Sequence, residues 1–350
     1  MLIQKDDFHI SFRGIMGYQK AFNLILTPRE DGKTTEWVSY AYSAFLAGKT
    51  SLIIRRNVVD ITEAYIGSIQ EIINKFHDED FIFKYSKGEL KDGIVRIYVK
   101  GNLFAIIIAL SVTIARIKSL VLRNVKYFFF DEFIVNPEFK EKYLPNEAGR
   151  FKELYNTFYR EATEPIKCFF LGNPYSHYNP YFTWLNVDTK SLYAGCIIAK
   201  DNYVVWLHQL SDKLKEWILS RNPLYEFDDS YRKYGFEGVP ICDENIKLGD
   251  LPNNYYLRFL FRIEGKYIGV YKNYLYNDGE DKYWVGFISN FGKNRNVYCF
   301  EFSDLVNGCA LISREDRNKF SNFRLAIQKR CILFEKIECY YLIEEIYKFL

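Results

Sequence analysis

Zinc-ligand and disulfide patterns are the first things this sequence lacks. Its 7 cysteines, Cys168, Cys196, Cys242, Cys299, Cys309, Cys331 and Cys339, are scattered, odd in number, and never form a C-x-x-C pair. The 4 histidines, His9, His77, His177 and His208, approach no zinc-ligand spacing. A disulfide framework and a zinc site are therefore not expected, and a reducing cytoplasm is the expected setting. No secretory leader is expected either, because Asp6 and Asp7 stand where basic and then apolar residues belong. The apolar run Leu103 to Ala115 ends at Arg116. It falls short of the ~20 residues a membrane span needs, so it is expected to lie in a core of a soluble protein with no membrane partner. Charge of one sign is also lacking: 47 Lys and Arg against 44 Asp and Glu leave +3, too little to mark a nucleic-acid binder by itself, although a local basic patch stays hidden in that sum.

What the chain has in abundance is aromatic bulk, with 29 Tyr and 30 Phe, so its cores should be built from rings. Hydrophobic residues at 49% against 26% charged describe a globular chain, and 350 residues suggest two domains or one with a large appendage.

Tyr127-Phe128-Phe129-Phe130 is a run of bulky apolar residues that ends in Asp131-Glu132. It reads as a strand buried on both faces, and two acids at its C-terminal end sit where open α/β sheets place ligands. This is the shape of a Walker B element, whose first acid serves Mg²⁺ and whose second orients a water. The bland alternative is a core strand followed by a solvated acidic turn. Upstream, Ala21 to Leu26 reads as a strand that runs into Thr27-Pro28-Arg29-Glu30-Asp31-Gly32-Lys33-Thr34. A helical pattern with Trp37, Tyr40, Ala41 and Ala44 on one face follows and stops at Gly48. Strand, eight-residue loop ending Gly-Lys-Thr, then helix is the setting a phosphate loop needs. Thr27 stands where the leading glycine belongs, which removes one point of close backbone approach.

Thr50 to Arg56 reads as another strand, and Asp60 as the cap of a helix to about Phe76. Phe81 to Tyr85 and Ile94 to Val99 read as a hairpin; Glu147 to Tyr159 as a helix ending at Arg160; Ile166 to Leu171 as a strand closing in Gly172-Asn173-Pro174. Asn173 there is either a sensor of the γ-phosphate or an ordinary Asn-Pro turn. Alternating strands and helices predict a parallel α/β sheet for the first part. Trp206 to Ser220 reads as helical. Strands Tyr255 to Ile263, Lys266 to Tyr271, Trp284 to Ile288 and Val297 to Glu301, then a helical pattern from about Arg314 to Leu350, predict a separate α+β domain. The expected boundaries are 1–203, 204–250 and 251–350.

With these residues laid out, the sequence resembles the DNA-packaging ATPases of small short-tailed phages whose genomes carry a terminal protein. Thr27 to Thr34, Ile54-Arg55-Arg56, Phe130 to Ile134, Pro145-Asn146-Glu147, Phe158-Tyr159-Arg160, and Asn173 through Asn179-Pro180-Tyr181-Phe182 carry the resemblance. It implies an N-terminal P-loop ATPase domain of the ASCE type, a small helical linker, and a C-terminal RNase H-like domain. It also implies ATP and Mg²⁺ as cofactors, double-stranded DNA as cargo, and a pentameric homo-oligomer ring. The ring would dock on a capsid portal in the host cytoplasm, and a packaging RNA is a further partner the resemblance allows. The strand Tyr255 to Phe261 carries no acid where a nuclease of that fold needs one, so no nuclease activity is expected.

In that frame Lys33 holds the β- and γ-phosphates inside the loop Thr27 to Thr34, Thr34 and Asp131 hold Mg²⁺, Glu132 orients the attacking water, and Asn173 couples phosphate release to movement. Arg160 resembles the family's arginine finger, and Arg29 is the cis alternative. Lys118, with Arg116 and Arg123 behind it, is the expected DNA contact, made to phosphates and sensitive to salt. Arg55 and Arg56 are open between nucleotide, neighbour and a structural role. A helicase-like P-loop motor and a non-catalytic nucleotide-binding scaffold, the latter prompted by Thr27, are the competing readings.

Overall fold

The computed structural model describes residues 9–77, 79–118, 124–136, 141–177, 179–238, 240, 246–275, 281–292, 295–313, 315–347 and 349–350. Two compact units divide it, Met1–Cys242 and Asp243–Leu350.

The first unit is built on strands β1 (Phe22–Leu26), β2 (Thr50–Arg55), β3 (Ile94–Val99), β4 (Asn102–Ala109), β5 (Val125–Asp131), β6 (Lys167–Gly172), β7 (Ile197–Ala199) and β8 (Tyr203–Leu207). They form one sheet in the order β3-β4-β2-β5-β6-β1-β8-β7. From β4 to β8 all pairings are parallel, and β3 and β7 close the edges antiparallel. Its helices are α1 (Arg13–Met16), α2 (Lys33–Leu46), α3 (Glu63–His77), α4 (Lys87–Asp92), α5 (Ile114–Lys118), α6 (Glu147–Tyr159), α7 (Pro180–Leu185), α8 (Asp212–Arg221), α9 (Leu224–Phe227) and α10 (Asp229–Glu237).

Burial on both faces explains the composition of the middle strands. Phe128, Phe129 and Phe130 on β5 and Phe169 and Phe170 on β6 are all buried. The ring of Phe129 stacks on Phe169 at 5.3 Å, and Phe151 from α6 packs on Phe170 at 4.7 Å. Each such ring is worth about 1.5–3 kcal/mol in burial, with ~0.5–1.5 kcal/mol more per aromatic pair. This ring stack fixes the end of β5, and hence its acids, against β6 and α6.

Several expected elements are corrected by pairing. Ile94–Val99 pairs with Asn102–Ala109, not with 81–85, where only Lys84 bridges to Tyr98. The apolar run expected as buried core is therefore the strand β4, because Gly101 at φ 84 lets the chain reverse at once. The cap of α3 is Thr62, whose hydroxyl accepts the Tyr65 N–H at 3.1 Å; Asp60 instead accepts the Asn57 N–H one turn earlier. Trp206 lies in β8 and not in a helix, so the expected domain boundary after residue 203 falls inside a strand of the main sheet. The helical linker expected over 204–250 likewise shares the first compact unit as far as Cys242. Among the described residues, no helix is long and apolar enough to cross a membrane.

The second unit carries β9 (Tyr255–Ile263), β10 (Lys266–Asn273), β11 (Tyr283–Phe287), β12 (Val297–Cys299), β13 (Cys309–Leu311) and β14 (Ile332–Phe334). Helices α11 (Ser321–Gln328) and α12 (Ile337–Ile346) accompany them. The sheet order is β13-β12-β9-β10-β11-β14. β9, β10 and β11 run antiparallel in sequence, whereas β12 is parallel to β9, β13 to β12 and β14 to β11. The helical pattern read from about Arg314 to Leu350 is thus two helices interrupted by β14. Ile332 and Phe334 of that strand enter the same buried cluster as Phe323 and Leu342, so an apolar pattern alone does not distinguish strand from helix there.

Candidate nucleotide site

Strand order brings the predicted residues together. β6 lies between β1 and β5, with Leu26 opposite Gly172 and Asp131 opposite Leu171. The ends of β1, β5 and β6 thereby deliver the loop 27–32, the acids 131–132 and Asn173 to one edge of the sheet. The ammonium of Lys33, first residue of α2, donates to Oδ1 of Asn173. The N–H groups of Lys33, Thr34 and Thr35 begin that helix and have no acceptor within it, as at any helix start. Burial pulls the Lys33 pKa below its ordinary value, and Asp131 and Asp31 oppose that shift. A cation held this way, beside the positive end of a helix, favours phosphate.

The loop is shaped by two left-handed residues, Glu30 at φ 69 and Gly32 at φ 69. Gly32 is required twice over: a Cβ there would stand 2.5 Å from the ring of His9. Thr27 is not among the residues with positive φ. Its N–H donates to Gly172 O at 3.0 Å and its hydroxyl to Pro28 O at 3.0 Å, with the side chain buried. The missing glycine therefore creates no strain in the loop. Pro28 is buried, Glu30 is exposed, and the Asp31 carboxylate turns inward to His208. Arg29 is exposed and donates to the Tyr175 hydroxyl at 2.8 Å; Asn173 Nδ2 donates to the same oxygen at 3.3 Å.

The two acids differ in environment. Asp131 is buried, and desolvation raises its pKa while Arg55 opposes the rise. Glu132 is exposed and left-handed at φ 59. Arg55 spans both, Nη1 donating to Asp131 Oδ2 at 3.2 Å and Nη2 to Glu132 Oε2 at 2.7 Å. The Tyr65 hydroxyl stands 3.4 Å from the same Asp131 oxygen, and its ring lies 4.7 Å beneath the Arg55 guanidinium. Arg56 has a different task. It is buried, donates from Nε to Glu147 Oε2 at 2.9 Å, and gives its two terminal nitrogens to the carbonyls of Glu132 (3.1 Å) and Phe133 (2.7 Å). Glu147 also accepts the Leu144 N–H at 2.8 Å and the Tyr181 hydroxyl at 3.0 Å. Asn179 caps α7 by accepting from Tyr181 N–H and Phe182 N–H, with Pro180 as the first helical residue. The stretch Asn179 to Phe182 is thus a scaffold that places Tyr181 on Glu147.

Arg160 is exposed at the end of α6 and outside this cluster. Arg116 on α5 is exposed and paired with Asp92 at 3.2 Å, an interaction weak enough at a surface to be exchanged. Lys118 ends α5, and Arg123 lies outside the described residues. Sequence reasoning left the work of Arg55 open and missed His208, Tyr65 and Tyr175. The pair Arg55-Arg56 at a strand end was the available signal; nothing marks His208.

The chain is similar to known proteins in sequence and in fold. The family model for the podovirus DNA encapsidation protein (Gp16) matches residues 5–348. The DNA packaging proteins of Bacillus phages phi29 and PZA are each 27% identical over 174 residues, 49% of this chain and 48% of theirs. By that alignment the chain spans about half the length of the curated relatives it matches. Among solved structures, the bacteriophage Phi-29 viral genome packaging motor assembly has a chain with TM-score 0.68 at 20% identity, covering 97% of this chain and 99% of that one. The Phi-28 gp11 DNA packaging motor gives TM-score 0.64 at 17% identity, covering 96% of each. Those two likenesses speak to the fold, whereas the family match runs across nearly all 350 residues. The match of that family model across residues 5–348 places the chain in the podovirus DNA encapsidation protein (Gp16) family.

Proposed function

We propose that the chain is the ATPase of a ring-shaped motor that drives double-stranded DNA into a viral procapsid. The observation that carries this reading is the convergence of Lys33, Asn173, Asp131 and Glu132 at one end of adjacent strands. A strand between the phosphate-loop strand and the acid strand supports the ASCE type.

Lys33 and the first turn of α2 receive the phosphates, and Asn173, already bonded to Lys33, lies where it can follow the γ-phosphate. The Thr34 hydroxyl and the Asp131 carboxylate would supply oxygen donors of the kind Mg²⁺ takes, and the Arg55 guanidinium against Asp131 supports a cation at that carboxylate. Those two residues would hold the ion, which when bound neutralises charge on the phosphates. Glu132, exposed on its left-handed turn, orients the attacking water once Arg55 releases it. Arg160, exposed at the end of α6, reaches outward toward a neighbouring subunit's phosphate, the trans finger of a homo-oligomeric, pentameric ring. Arg29, tied to Tyr175, is the cis alternative. Lys118, Arg116 and Arg123 supply phosphate contacts to DNA.

In the second unit, three antiparallel strands followed by strands parallel to the first support an RNase H-like reading. Its strand β9 carries no carboxylate, so we read it as a domain that does not cut. In this account the motor works in the host cytoplasm at the procapsid portal, with a packaging RNA as an additional tether.

The test is ATP turnover by the full chain with DNA and Mg²⁺. Glu132→Gln should retain ATP binding and lose at least ~10² in kcat, the scale of removing a positioned general base. Undiminished hydrolysis would remove Glu132 from its role.

A further inference from the structure

We infer that His208 is a positioning residue for the nucleotide, bracing the phosphate loop from the neighbouring strand through a hydrogen bond to Asp31. The inference rests on the ATPase reading and adds a residue to it.

His208 directly follows β8, which pairs with β1 in parallel register. It grips the loop at two places. Its backbone N–H donates to Leu26 O at 2.8 Å, at the last residue of β1 before the loop begins. Its Nδ1–H donates to Oδ2 of Asp31, five residues further on and just before Gly32. One residue therefore spans the loop from its entry to the turn that starts α2.

The far end of that span is well placed for control. The Asp31 carboxylate is fully buried, and its other oxygen, Oδ1, has no hydrogen-bond partner among the described residues. Among the described residues, His208 is thus the hydrogen-bond donor to this buried carboxylate. The Asp31 carbonyl accepts the Ile10 N–H at 3.0 Å, so the residue is held from both sides. Glu30 before it and Gly32 after it are both left-handed, a conformation that costs a non-glycine residue free energy and persists only when its surroundings enforce it. Without the donor, a buried carboxylate would have to turn toward water, and that rotation acts directly on the peptide units next to Lys33. The His208 ring also has a packing contact, edge-on to Trp206 at 4.6 Å. That contact allows donor and ring to be separated experimentally.

The loss of a charged hydrogen bond of this kind corresponds to about tenfold or more in an equilibrium constant. His208→Phe keeps a ring against Trp206 and has no donor. His208→Asn has a donor in place of Nδ1 and no ring. Both are compared with wild type and Lys33→Ala in the full chain, by calorimetric titration with ATP, steady-state hydrolysis and thermal melting. We expect His208→Phe to weaken ATP binding and raise KM about tenfold or more, with kcat within about threefold and a melting temperature lowered by no more than about 10 °C. His208→Asn should bind within about threefold of wild type. The brace is refuted if His208→Phe binds ATP like wild type, if both variants fail, if the Asn variant alone fails, or if His208→Phe melts so early that the residue is simply structural. If wild type itself does not bind ATP, or binds no better than Lys33→Ala, the ATPase reading fails instead.

Discussion

Replacing Arg56 by Met should be among the most damaging single changes outside the residues that touch nucleotide. Its guanidinium is buried, paired with a buried carboxylate and bonded to two carbonyls. Breaking such a pair from one side typically costs 3–5 kcal/mol, because the remaining charge is left unpaired in a medium that solvates it poorly. The Glu132 and Phe133 carbonyls lose their donors as well. They belong to the left-handed turn that carries Glu132, so the variant should lose turnover in addition to stability. With a urea m-value of about 2–3 kcal/mol/M for a unit of this size, the unfolding midpoint should fall by roughly 1–2.5 M. Fluorescence can follow this unit alone: of the 5 tryptophans, only Trp284 lies beyond residue 242, so a Trp284→Phe background leaves the rest as reporters. Adding Glu147→Gln to Arg56→Met removes the orphaned charge, while an amide oxygen in the place of Oε2 still accepts from Leu144 N–H and the amide NH2 in the place of Oε1 can donate to the Tyr181 hydroxyl oxygen. The double variant should therefore recover part of the loss. A midpoint shift below about 0.3 M for Arg56→Met, or a double variant as costly as the sum of the singles, would refute this account of the pair.

Arg160→Ala should leave ATP binding by the isolated chain intact and lower hydrolysis by the assembled ring by about 10³-fold or more, as removal of an arginine finger does; normal ring turnover would return that role to Arg29. Lys118→Ala should weaken DNA binding about equally across sequences and reduce the slope of log K against log salt by about 1, measured by fluorescence anisotropy over a salt series; an unchanged slope would take Lys118 off the DNA. Gly32→Ala should weaken ATP binding sharply in calorimetry, since it adds a Cβ 2.5 Å from the His9 ring at a left-handed position; wild-type affinity would show that the loop relaxes freely.

Much of this site is legible along the chain because its parts are local. A strand ending in Asp131-Glu132, a Gly-Lys-Thr opening a helix and an Asn closing a strand each occupy a few consecutive residues, and each rests on short-range geometry. Element ends show the same rule: α6 begins and ends where its pattern predicted, at Glu147 and Tyr159. The failures came where a neighbour decides. The strand at Trp206 and the strand inside the C-terminal helical pattern are short apolar runs, and only pairing with β1 and β11 makes them strands. The expected hairpin at 81–99 failed likewise, because β3 had a longer partner in β4.

Family membership, shown by a match over residues 5–348, was legible in the sequence. Tertiary structure decided which of two adjacent arginines does what. Arg55 and Arg56 are consecutive at the end of β2, yet side chains there point to opposite faces. One meets the acids and the other Glu147. It also decided that His208, 177 residues from Asp31, stands beside the phosphate loop. No local pattern encodes such a contact, because it exists only once β8 is laid against β1.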